Sequence, residues 1–303
     1  MDTENNVSVN SAKAWLLASR PKTLTGAAVP VMIALAMAWR DLSEATAQEK
    51  FSIIPAVLCL LFAFIMQIDA NFINDYFDFK KGTDDEFRLG PLRACAQGWV
   101  TLPAMRYAIL LTTVIACLAG LPLIIYGGWA MVGIGVLCVA FCFLYTTHLS
   151  YLGLGDLLVL VFFGIVPVCA TYYIQTGTVT LQVLTASLAC GLVVDTLLVV
   201  NNYRDRDNDR RTGKVTLVVR IGKKATEILF LGLGLLACLM GGVHLFHGRT
   251  WAFVLPLLYL MLHFVTYRRM VSISNGKRLN GILGENARNI FIYGVLTSIG
   301  LLL

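Results

Sequence analysis

Residues 71–85 read NFINDYFDFKKGTDD, and they directly follow the apolar run FSIIPAVLCLLFAFIMQIDA of residues 51–70. An apolar run of about 20 residues is long enough to cross a membrane as an α-helix. A carboxylate close to lipid costs free energy, so acidic residues in such a place mark a functional site by default. The stretch therefore predicts a membrane-spanning helix that ends in a chemically active segment.

The composition places the rest of the chain in the same class. Of its 303 residues 57% are hydrophobic and 14% are charged, and the mean hydropathy is +0.74. A soluble globular protein carries about 25% charged residues. Apolar runs of spanning length recur along the chain, so we expect an all-α polytopic membrane protein. The 8 cysteines form no CxxC pair and the 4 histidines are scattered, which argues against a thiol or histidine metal site and against a haem-binding bundle.

About nine membrane spans are predicted, within a single membrane-embedded domain over residues 1–303. The first residues, 1–20, form a short polar tail that lacks the apolar core of a cleaved signal peptide. The predicted spans are 24–40, 51–73, 104–126, 128–147, 156–175, 180–202, 224–246, 250–267 and 286–303.

The basic residues indicate the orientation of these spans. Of the 24 lysines and arginines, only Arg40, Lys50 and Arg249 lie outside the N-terminal tail and the long loops on its side. Cytoplasmic loops of membrane proteins carry the excess of Lys and Arg. The pattern therefore predicts that the N-terminus and the aspartate-rich loops are cytoplasmic, and the basic loops need no nucleic acid to explain them.

A second acidic stretch matches the first. Residues 202–213 read NYRDRDNDRRTG, and they align with NFINDYFDFKKG at 71–82, so that Asp78 matches Asp209 and Gly82 matches Gly213. In both stretches the polar positions are spaced three to four residues apart, which places them on one face of an α-helix. Each span is therefore predicted to continue past the lipid boundary as a helix with an oxygen-bearing face and to end at the glycine. Two parallel internal repeats would account for the pair, although two ordinary solvated loops stay open as the alternative.

The residue types in the two stretches predict a binding chemistry. Aspartate and asparagine oxygens suit Mg²⁺, which keeps few protein ligands and shares the rest with water and substrate phosphates. The neighbouring lysines and arginines suit phosphate oxygens. A diphosphate with an apolar tail fits both, because its head can lie at the membrane surface while its tail lies among the helices. Mg²⁺ and the cations would stabilise the leaving diphosphate while a nucleophile attacks the allylic carbon.

Several segments carry a resemblance to a known family: RPKTL at 20–24, NDYFDFKKGTD at 74–84, RLGPLR at 88–93, LYTT at 144–147, GLGD at 153–156 and NNYRDRDNDRRTGKVTL at 201–217. The sequence resembles the UbiA superfamily of intramembrane aromatic prenyltransferases and, more narrowly, its MenA branch, the 1,4-dihydroxy-2-naphthoate polyprenyltransferases. The resemblance implies nine helices around a central cavity that opens laterally to lipid, in the plasma (inner) membrane of a bacterium. It implies a Mg²⁺-dependent transfer of a polyprenyl chain from polyprenyl diphosphate to 1,4-dihydroxy-2-naphthoate, with loss of CO₂, to give demethylmenaquinone in menaquinone (vitamin K2) biosynthesis.

The resemblance also implies residue roles. The expected Mg²⁺ ligands are Asn74, Asp75, Asp78, Asp84, Asp205 and Asp209. The expected catalytic residues are Asp78, Asp205, Asp209, Arg204 and Lys214. The expected contacts of the diphosphate or of the acceptor are Asn71, Asn202, Lys22, Arg88 and Arg93. The family pattern would place a carboxylate at position 82, where this chain has Gly82, so Asp84 is expected to substitute. The cations have an alternative role as solvated loop residues or lipid-headgroup contacts.

Four further residues allow two interpretations each. Asp69 and Asp195 lie inside predicted spans, where they either line the acceptor pocket or bond neighbouring helices together. Tyr145 either donates a hydrogen bond in the cavity or belongs to an aromatic belt. Asp156 either serves the site or simply favours a helix N-terminus.

Other functions stay open at this point. The acceptor of a UbiA-type enzyme is in other cases 4-hydroxybenzoate, homogentisate or haem, against which the RPKTL and GPLR segments argue. A membrane carrier would hold its carboxylates near the bilayer midplane, whereas here they cluster at helix ends. A phosphatidyltransferase would concentrate its aspartates in one helix pair, whereas here they are divided between two distant helices.

Overall fold

The computed structural model describes residues 7–45, 50–82 and 88–303, and in these ranges the chain is helical without any β-strand. The α-helices are α1 Ala12–Ser19, α2 Leu24–Glu44, α3 Ile53–Lys80, α4 Leu102–Gly120, α5 Ile124–Gly127, α6 Ala130–Thr147, α7 Gly155–Leu160, α8 Val166–Thr176, α9 Leu181–Arg211, α10 Leu217–Met240, α11 Thr250–Val254, α12 Leu257–Ile273 and α13 Leu279–Leu302. Between them lie 3₁₀ turns at Pro21–Thr23, Leu121–Leu123, Leu149–Leu152 and Gly241–His247, and a π-helical turn at Val161–Ile165. The prediction of an all-α chain is confirmed.

Eight helical segments of the described chain are long and apolar enough to cross a membrane. They are Ala12–Glu44, Ile53–Lys80, Leu102–Gly127, Ala130–Thr147, Gly155–Thr176, Leu181–Arg211, Leu217–His247 and Thr250–Ile273. Each corresponds to one of the first eight predicted spans, so the prediction of a polytopic membrane protein is confirmed. The lateral cavity stays a prediction.

The ninth predicted span corresponds to α13, which is 24 residues long but more polar. Its first half carries Asn286 and Asn289, both fully buried. The Asn286 amide donates to the hydroxyl of Thr196 at 2.8 Å, and the Asn289 amide donates to the hydroxyl of Thr266 at 2.8 Å. Such side-chain hydrogen bonds hold helices together in lipid. The low apolar content of α13 therefore follows from its buried position against α9 and α12.

Helix α9 lies at the centre of the bundle. It packs against α2, α7, α8, α10 and α13. Within its most apolar window 67% is buried, against 11% for α6, so α9 is a core helix and α6 faces the surroundings. The central position of α9 means that its polar end is enclosed by its neighbours on several sides.

Helices α3 and α9 end as their sequences predict. Both continue beyond the apolar run through the acidic stretch, to Lys80 and Arg211. Gly82 follows α3 with φ of 73°, and Gly213 follows α9 with φ of 76°. Glycine adopts this left-handed conformation without steric cost and commonly closes a helix. This conformation is also a physical reason for the absence of a carboxylate at position 82.

The residues predicted as an N-terminal tail include a packed helix, α1. Helix α1 is capped by Ser11, whose hydroxyl accepts from the Ala14 amide. Trp15 packs edge-on against Phe72 of α3, with 5.6 Å between ring centroids. The Asn10 backbone amide donates to the Trp99 carbonyl at 2.7 Å. The apolar residues of α1 thus hold it against the helix that carries the first acidic stretch.

A polar network joins the helices at the opposite end of the bundle. Asp41 of α2 accepts from the Tyr172 hydroxyl at 2.6 Å and from the Arg249 guanidinium. Arg249 also donates to Glu44 at 3.2 Å, and Arg40 donates to the Leu302 carbonyl at 3.3 Å. Two of the three cations on the predicted outer side therefore belong to this network, which joins α2 to α8, α13 and the segment before α11.

Replacing Asp41 by Asn should destabilise the bundle. The Arg249 side chain is 8% exposed and would lose its closest carboxylate, while Asp41 is 25% exposed, so we expect a loss of about 2 kcal/mol, below the roughly 3–5 kcal/mol of a fully buried pair. Thermal unfolding in detergent measures the change. Glu44→Gln is the matched control, because Glu44 is 51% exposed and should contribute less than about 1 kcal/mol. Equal effects of the two variants would contradict this account.

Candidate active site

The polar ends of α3 and α9 face each other. Asp78 of α3 interacts electrostatically with Lys214, which follows α9, and with Arg20, Lys81 and Arg88. Asp209 of α9 interacts electrostatically with Lys214 and with Asp78. Residues far apart in the sequence thus form one group, which we call the aspartate site: Asn74, Asp78, Arg93, Arg204, Asp205, Asp209 and Lys214.

Arg204 is the buried centre of this site, with a side chain that is 0% exposed. Its guanidinium donates to both carboxylate oxygens of Asp205, to Asn201 at 2.8 Å and to Asn280 at 2.9 Å. Arginine suits such a position because its planar group presents several donors in a fixed geometry. Arg204 therefore fixes Asp205 and links α9 to the start of α13.

The segment RLGPLR at 88–93 is held against this arginine. The Asn280 amide donates to the Leu89 carbonyl at 2.8 Å. A β-carbon at Gly90 would lie 2.7 Å from a guanidinium nitrogen of Arg204, so only glycine fits there without a shift. Arg93, which is buried, donates to Asp78 at 3.0 Å. The segment thus connects the second acidic stretch to the first.

Asp209 and Lys214 close the other side of the site. The Lys214 backbone amide donates to the Asp209 carbonyl at 2.8 Å, which folds the chain back after Gly213. The Lys214 ammonium lies 4.0 Å from Asp209 Oδ1. Asp209 is 6% exposed, and its Oδ2 is buried without a hydrogen-bond partner. A buried carboxylate oxygen in that state is a candidate ligand for a cation.

The LYTT segment borders the first acidic stretch. The Thr146 hydroxyl donates to the side-chain oxygen of Asn74. The Lys81 ammonium donates to the Thr147 carbonyl at 2.6 Å and lies 4.0 Å from the centre of the Tyr151 ring. Partial burial lowers the pKa of Lys81 below its usual value, and the nearby Asp78 opposes this change. These contacts hold a cation beside Asp78.

Two predicted site residues, Asp75 and Asn71, form hydrogen bonds with other segments of the chain. Asp75 is 1% exposed, and its two oxygens accept from the backbone amides of Ala94 at 2.9 Å and Cys95 at 3.0 Å. The Asn71 amide donates to the Ser19 carbonyl and to the Thr23 hydroxyl, both at 2.9 Å. Asp75 therefore anchors the segment after RLGPLR, and Asn71 anchors the RPKTL segment, while their contacts with Mg²⁺ and with the diphosphate stay predictions.

The remaining predicted residues are distributed as follows. Asn202 is buried and lines a small cavity together with Lys214. Lys22 is exposed, and Arg88 donates to the Pro91 carbonyl at 3.3 Å within its own segment. Asp84 lies outside the described residues. Asp69 accepts from the hydroxyls of Thr112 at 2.5 Å and Thr113 at 2.8 Å, which identifies it as a contact between α3 and α4.

Three residues near the site were not predicted. Arg20 and Lys81 interact electrostatically with Asp78, and Asn280 bonds Arg204. Arg20 and Lys81 each lie within a motif quoted above, RPKTL at 20–24 and NDYFDFKKGTD at 74–84, so those motifs could have identified them. Asn280 could not be identified that way, because it reaches the site from another helix.

The donor chemistry fits Mg²⁺. In the described residues no group of three or more His, Cys, Asp or Glu side chains is close enough to form a complete metal cage. Mg²⁺ needs no such cage, because it is usually held by one or two carboxylates, with water and substrate phosphates as further ligands. Asp78 and Asp209 supply carboxylates from the two helices, and the unpartnered Oδ2 of Asp209 is a hard oxygen ligand.

Comparison with known proteins identifies the family. The model of the UbiA prenyltransferase family matches residues 27–290. The chain belongs to the UbiA prenyltransferase family. It is 35% identical over 272 residues to the 1,4-dihydroxy-2-naphthoate octaprenyltransferase of Escherichia coli (strain K12), a match that covers 85% of this chain and 86% of the relative. The resemblance to the UbiA superfamily and to its MenA branch is thus confirmed.

Solved structures of UbiA homologues share the fold. The apo structure from Aeropyrum pernix K1 matches with a TM-score of 0.66 at 17% identity and covers 90% of this chain and 97% of that chain. The structure from Archaeoglobus fulgidus bound to DMAPP and Mg²⁺ matches with a TM-score of 0.58 at 13% identity and covers 94% of this chain and 99% of that chain. The UbiA fold is therefore the fold of this chain.

The different roles of Asp75 and Asp78 can be separated by substitution. Asp75→Asn should lower the free energy of unfolding by about 2 kcal/mol, because hydrogen bonds to a charged group contribute roughly 1.5–3 kcal/mol and an amide cannot accept both backbone N–H groups as well. Asp78→Asn should also lower the unfolding temperature in detergent, because the buried Arg93 would lose its carboxylate, but unlike Asp75→Asn it should abolish Mg²⁺-dependent stabilisation by a prenyl diphosphate. If Asp75→Asn kept its stability and lost only that stabilisation, Asp75 would be a metal ligand after all.

Proposed function

We propose that this protein transfers a polyprenyl chain from polyprenyl diphosphate to 1,4-dihydroxy-2-naphthoate, with loss of CO₂, to give demethylmenaquinone. The observation that carries the proposal is the approach of Asp78 and Lys214, from two motifs distant in sequence, at the polar end of a membrane bundle. A site with carboxylates, cations and an adjoining apolar interior suits a diphosphate with an isoprenoid tail. The identity to the Escherichia coli enzyme supports the naphthoate acceptor.

Mg²⁺ is the proposed cofactor. Asp78 and Asp209 would hold it, with Asn74 and Asp205 as further oxygen ligands. When bound, Mg²⁺ supplies positive charge that stabilises the leaving diphosphate. The UbiA homologue from Archaeoglobus fulgidus, whose structure holds DMAPP and Mg²⁺ together, supports this assignment. Magnesium sites that use substrate phosphates as ligands are consistent with the small number of carboxylates available here.

The cations of the aspartate site would bind the diphosphate. Without substrate, Arg93 is paired with Asp78, and Lys214 lies beside Asp209. A diphosphate that enters offers stronger partners to these cations, because charge-assisted bonds to phosphate oxygens are short and strong. The carboxylates released from Arg93 and Lys214 then become available as metal ligands. Arg204 keeps its bonds to Asp205, Asn201 and Asn280 and serves to position Asp205 and the segment 88–93.

Bond formation follows from this arrangement. The diphosphate is held at the polar end, so the allylic carbon bonded to it points toward the helices and away from bulk water. The hydroxyl groups of the naphthoate make the ring carbon that bears the carboxylate nucleophilic. That carbon bonds to the allylic carbon as the carbon–oxygen bond to diphosphate breaks, and loss of CO₂ restores the aromatic ring.

The activity can be tested in detergent with 1,4-dihydroxy-2-naphthoate, a long polyprenyl diphosphate and Mg²⁺. We expect prenylated product and CO₂ from the wild type, and a loss of at least about 100-fold with EDTA, with Asp78→Ala and with Asp209→Ala, because electrostatic stabilisation of the leaving group is removed. Asp207→Ala is the matched control, since Asp207 lies on the same helix end but is 72% exposed, and it should retain activity.

Other outcomes of this assay would contradict the proposed acceptor or the proposed activity. Transfer to 4-hydroxybenzoate or homogentisate but not to the naphthoate would keep the diphosphate site and contradict the proposed acceptor. Failure of the folded protein to transfer the prenyl group to any acceptor would favour a membrane carrier.

We also propose that the N-terminus and the aspartate site face the cytoplasm of a bacterium, and that α13 is the ninth span of one membrane-embedded domain. The distribution of Lys and Arg supports the orientation. The packing of α13 against α2, α9 and α12 supports a transmembrane position for α13.

A reporter enzyme that is active only outside the cytoplasm tests both statements when it is fused after Leu303. Nine spans with a cytoplasmic N-terminus place the fusion outside, so we expect reporter activity. The control is a fusion of the same reporter after Ile273, which should be inactive because eight spans return the chain to the cytoplasm. Activity at Ile273 and none at Leu303 would reverse the orientation.

A further inference from the structure

Two carboxylates lie on the membrane side of the aspartate site and have no role in the mechanism above. Asp195 of α9 is 5% exposed, and its Oδ1 is buried without a hydrogen-bond partner. Asp156 of α7 also has a buried Oδ1 without a partner. Asp69 differs, because both of its oxygens accept from threonine hydroxyls. A buried polar atom without a partner is costly and rare in native structures, so these two atoms need an explanation.

The packing of α7 on α9 brings the two carboxylates toward each other. A β-carbon at Gly155, next to Asp156, would lie 3.3 Å from Leu198 and 3.7 Å from the Tyr145 hydroxyl. Leu198 follows Asp195 by three residues and precedes Asn202 by four, so the three share one face of α9. Asp195 and Asp156 interact electrostatically with each other. The lack of a side chain at Gly155 permits this close approach.

Tyr145 connects these carboxylates to the aspartate site. It interacts electrostatically with Asp156 and Asp195 on one side and with Asp78 and Asp209 on the other. A small polar cavity lies at the same place, and its lining includes Tyr145, Gly155, Asp156, Asn202 and Lys214. Asp156 and Lys214 are therefore walls of one cavity. The carboxylate of Asp156 therefore lies in the same cavity as Lys214, a cation that is proposed above to bind diphosphate.

The π-helical turn at Val161–Ile165 contributes to this arrangement. It follows α7 directly, and a β-carbon on its Gly164 would lie 2.6 Å from the Ser187 carbonyl of α9. A π turn adds a residue to a helical turn, and such turns are frequent at functional sites. The turn lets span five approach α9 closely while α7 keeps Asp156 beside Tyr145.

We propose that Asp156 contacts a ring hydroxyl of the acceptor and accepts its proton, and that Asp195, behind it, positions Asp156. This inference rests on the proposed function. The proton moves from the hydroxyl to the Asp156 carboxylate as the ring carbon bonds to the allylic carbon and the bond to diphosphate breaks. After CO₂ leaves, Asp156 returns the proton to the same oxygen. The overall reaction neither takes up nor releases a proton, so the residue is ready for another turnover.

The chemistry of the site favours this role over a purely structural one. The allylic carbon lies on the membrane side of the diphosphate, so the acceptor ring must lie on that side as well. A phenolate is a stronger nucleophile than a phenol, and a positioned base typically contributes about 10²–10⁴-fold to the rate. Of the carboxylates described above, Asp156 and Asp195 are on the membrane side and are not saturated by neutral donors, unlike Asp69.

The experiment compares Asp156→Asn, Asp195→Asn and wild type with two acceptors. One is 1,4-dihydroxy-2-naphthoate, and the other is a ring-fluorinated analogue whose hydroxyl is already ionised at the assay pH. With the ordinary acceptor we expect Asp156→Asn to lose about 100-fold or more in rate. With the fluorinated acceptor the ratio of wild type to variant should fall to within about tenfold, because no proton needs to be removed. Asp195→Asn should show a smaller loss and a partial recovery.

Controls separate this proposal from misfolding and from the proposed function. Each variant should keep the Mg²⁺-dependent stabilisation by polyprenyl diphosphate in thermal unfolding, which reports a folded chain with an intact diphosphate site. A loss of rate by Asp156→Asn that is equal for both acceptors, or no loss at all, would overturn the proposal while wild-type transfer upholds the proposed function. An absence of transfer by the wild type with either acceptor would overturn the proposed function and this proposal with it.

Discussion

The buried guanidinium of Arg204 is the interaction on which the site depends. It holds Asp205 in a bidentate pair and bonds Asn201 and Asn280, while Gly90 allows the segment 88–93 to lie directly against it. Burying a cation in this way is costly unless every donor has a partner. The surrounding residues meet that requirement together, so α9, α13 and the segment 88–93 are held in one arrangement. The positions of Arg93 and Asp78 follow from it.

Both ends of the bundle bring carboxylates close to cations, but the two arrangements have different roles. At one end, Arg249, Asp41, Tyr172 and Glu44 bond one another and join separate helices. At the other end, carboxylates and cations are also close, but Asp209 keeps an oxygen without a hydrogen-bond partner. At the first end the carboxylates have donors and the network stabilises the fold, although Nε and Nη1 of Arg249 lack partners. At the second end the unpartnered atom of Asp209 is a carboxylate oxygen, which is the state expected of a site that receives a cation.

Much of the fold and of the aspartate site could be predicted from the sequence, because the patterns that determine them lie within short stretches of the chain. The apolar runs predict the spans, and the spacing of Asn74, Asp78 and Gly82 predicts a helix that continues beyond the lipid and then stops. Asp75 could not be assigned in this way. Its spacing is that of a metal ligand, yet its oxygens accept from backbone amides about 20 residues away in the chain, and no side-chain pattern records such a bond. Asn280 escaped prediction for the same reason, since it reaches Arg204 from a different helix.

The pairing of Arg93 with Asp78, and the nearness of Lys214 to Asp209, have a consequence for turnover. Diphosphate is a tightly held product wherever cations surround it, and slow release of product often limits the rate of an enzyme. Here each cation has a carboxylate of its own to which it can return. Asp78 and Asp209 therefore compete with the diphosphate product for Arg93 and Lys214. This competition makes the release of diphosphate easier than it would be from a purely cationic pocket.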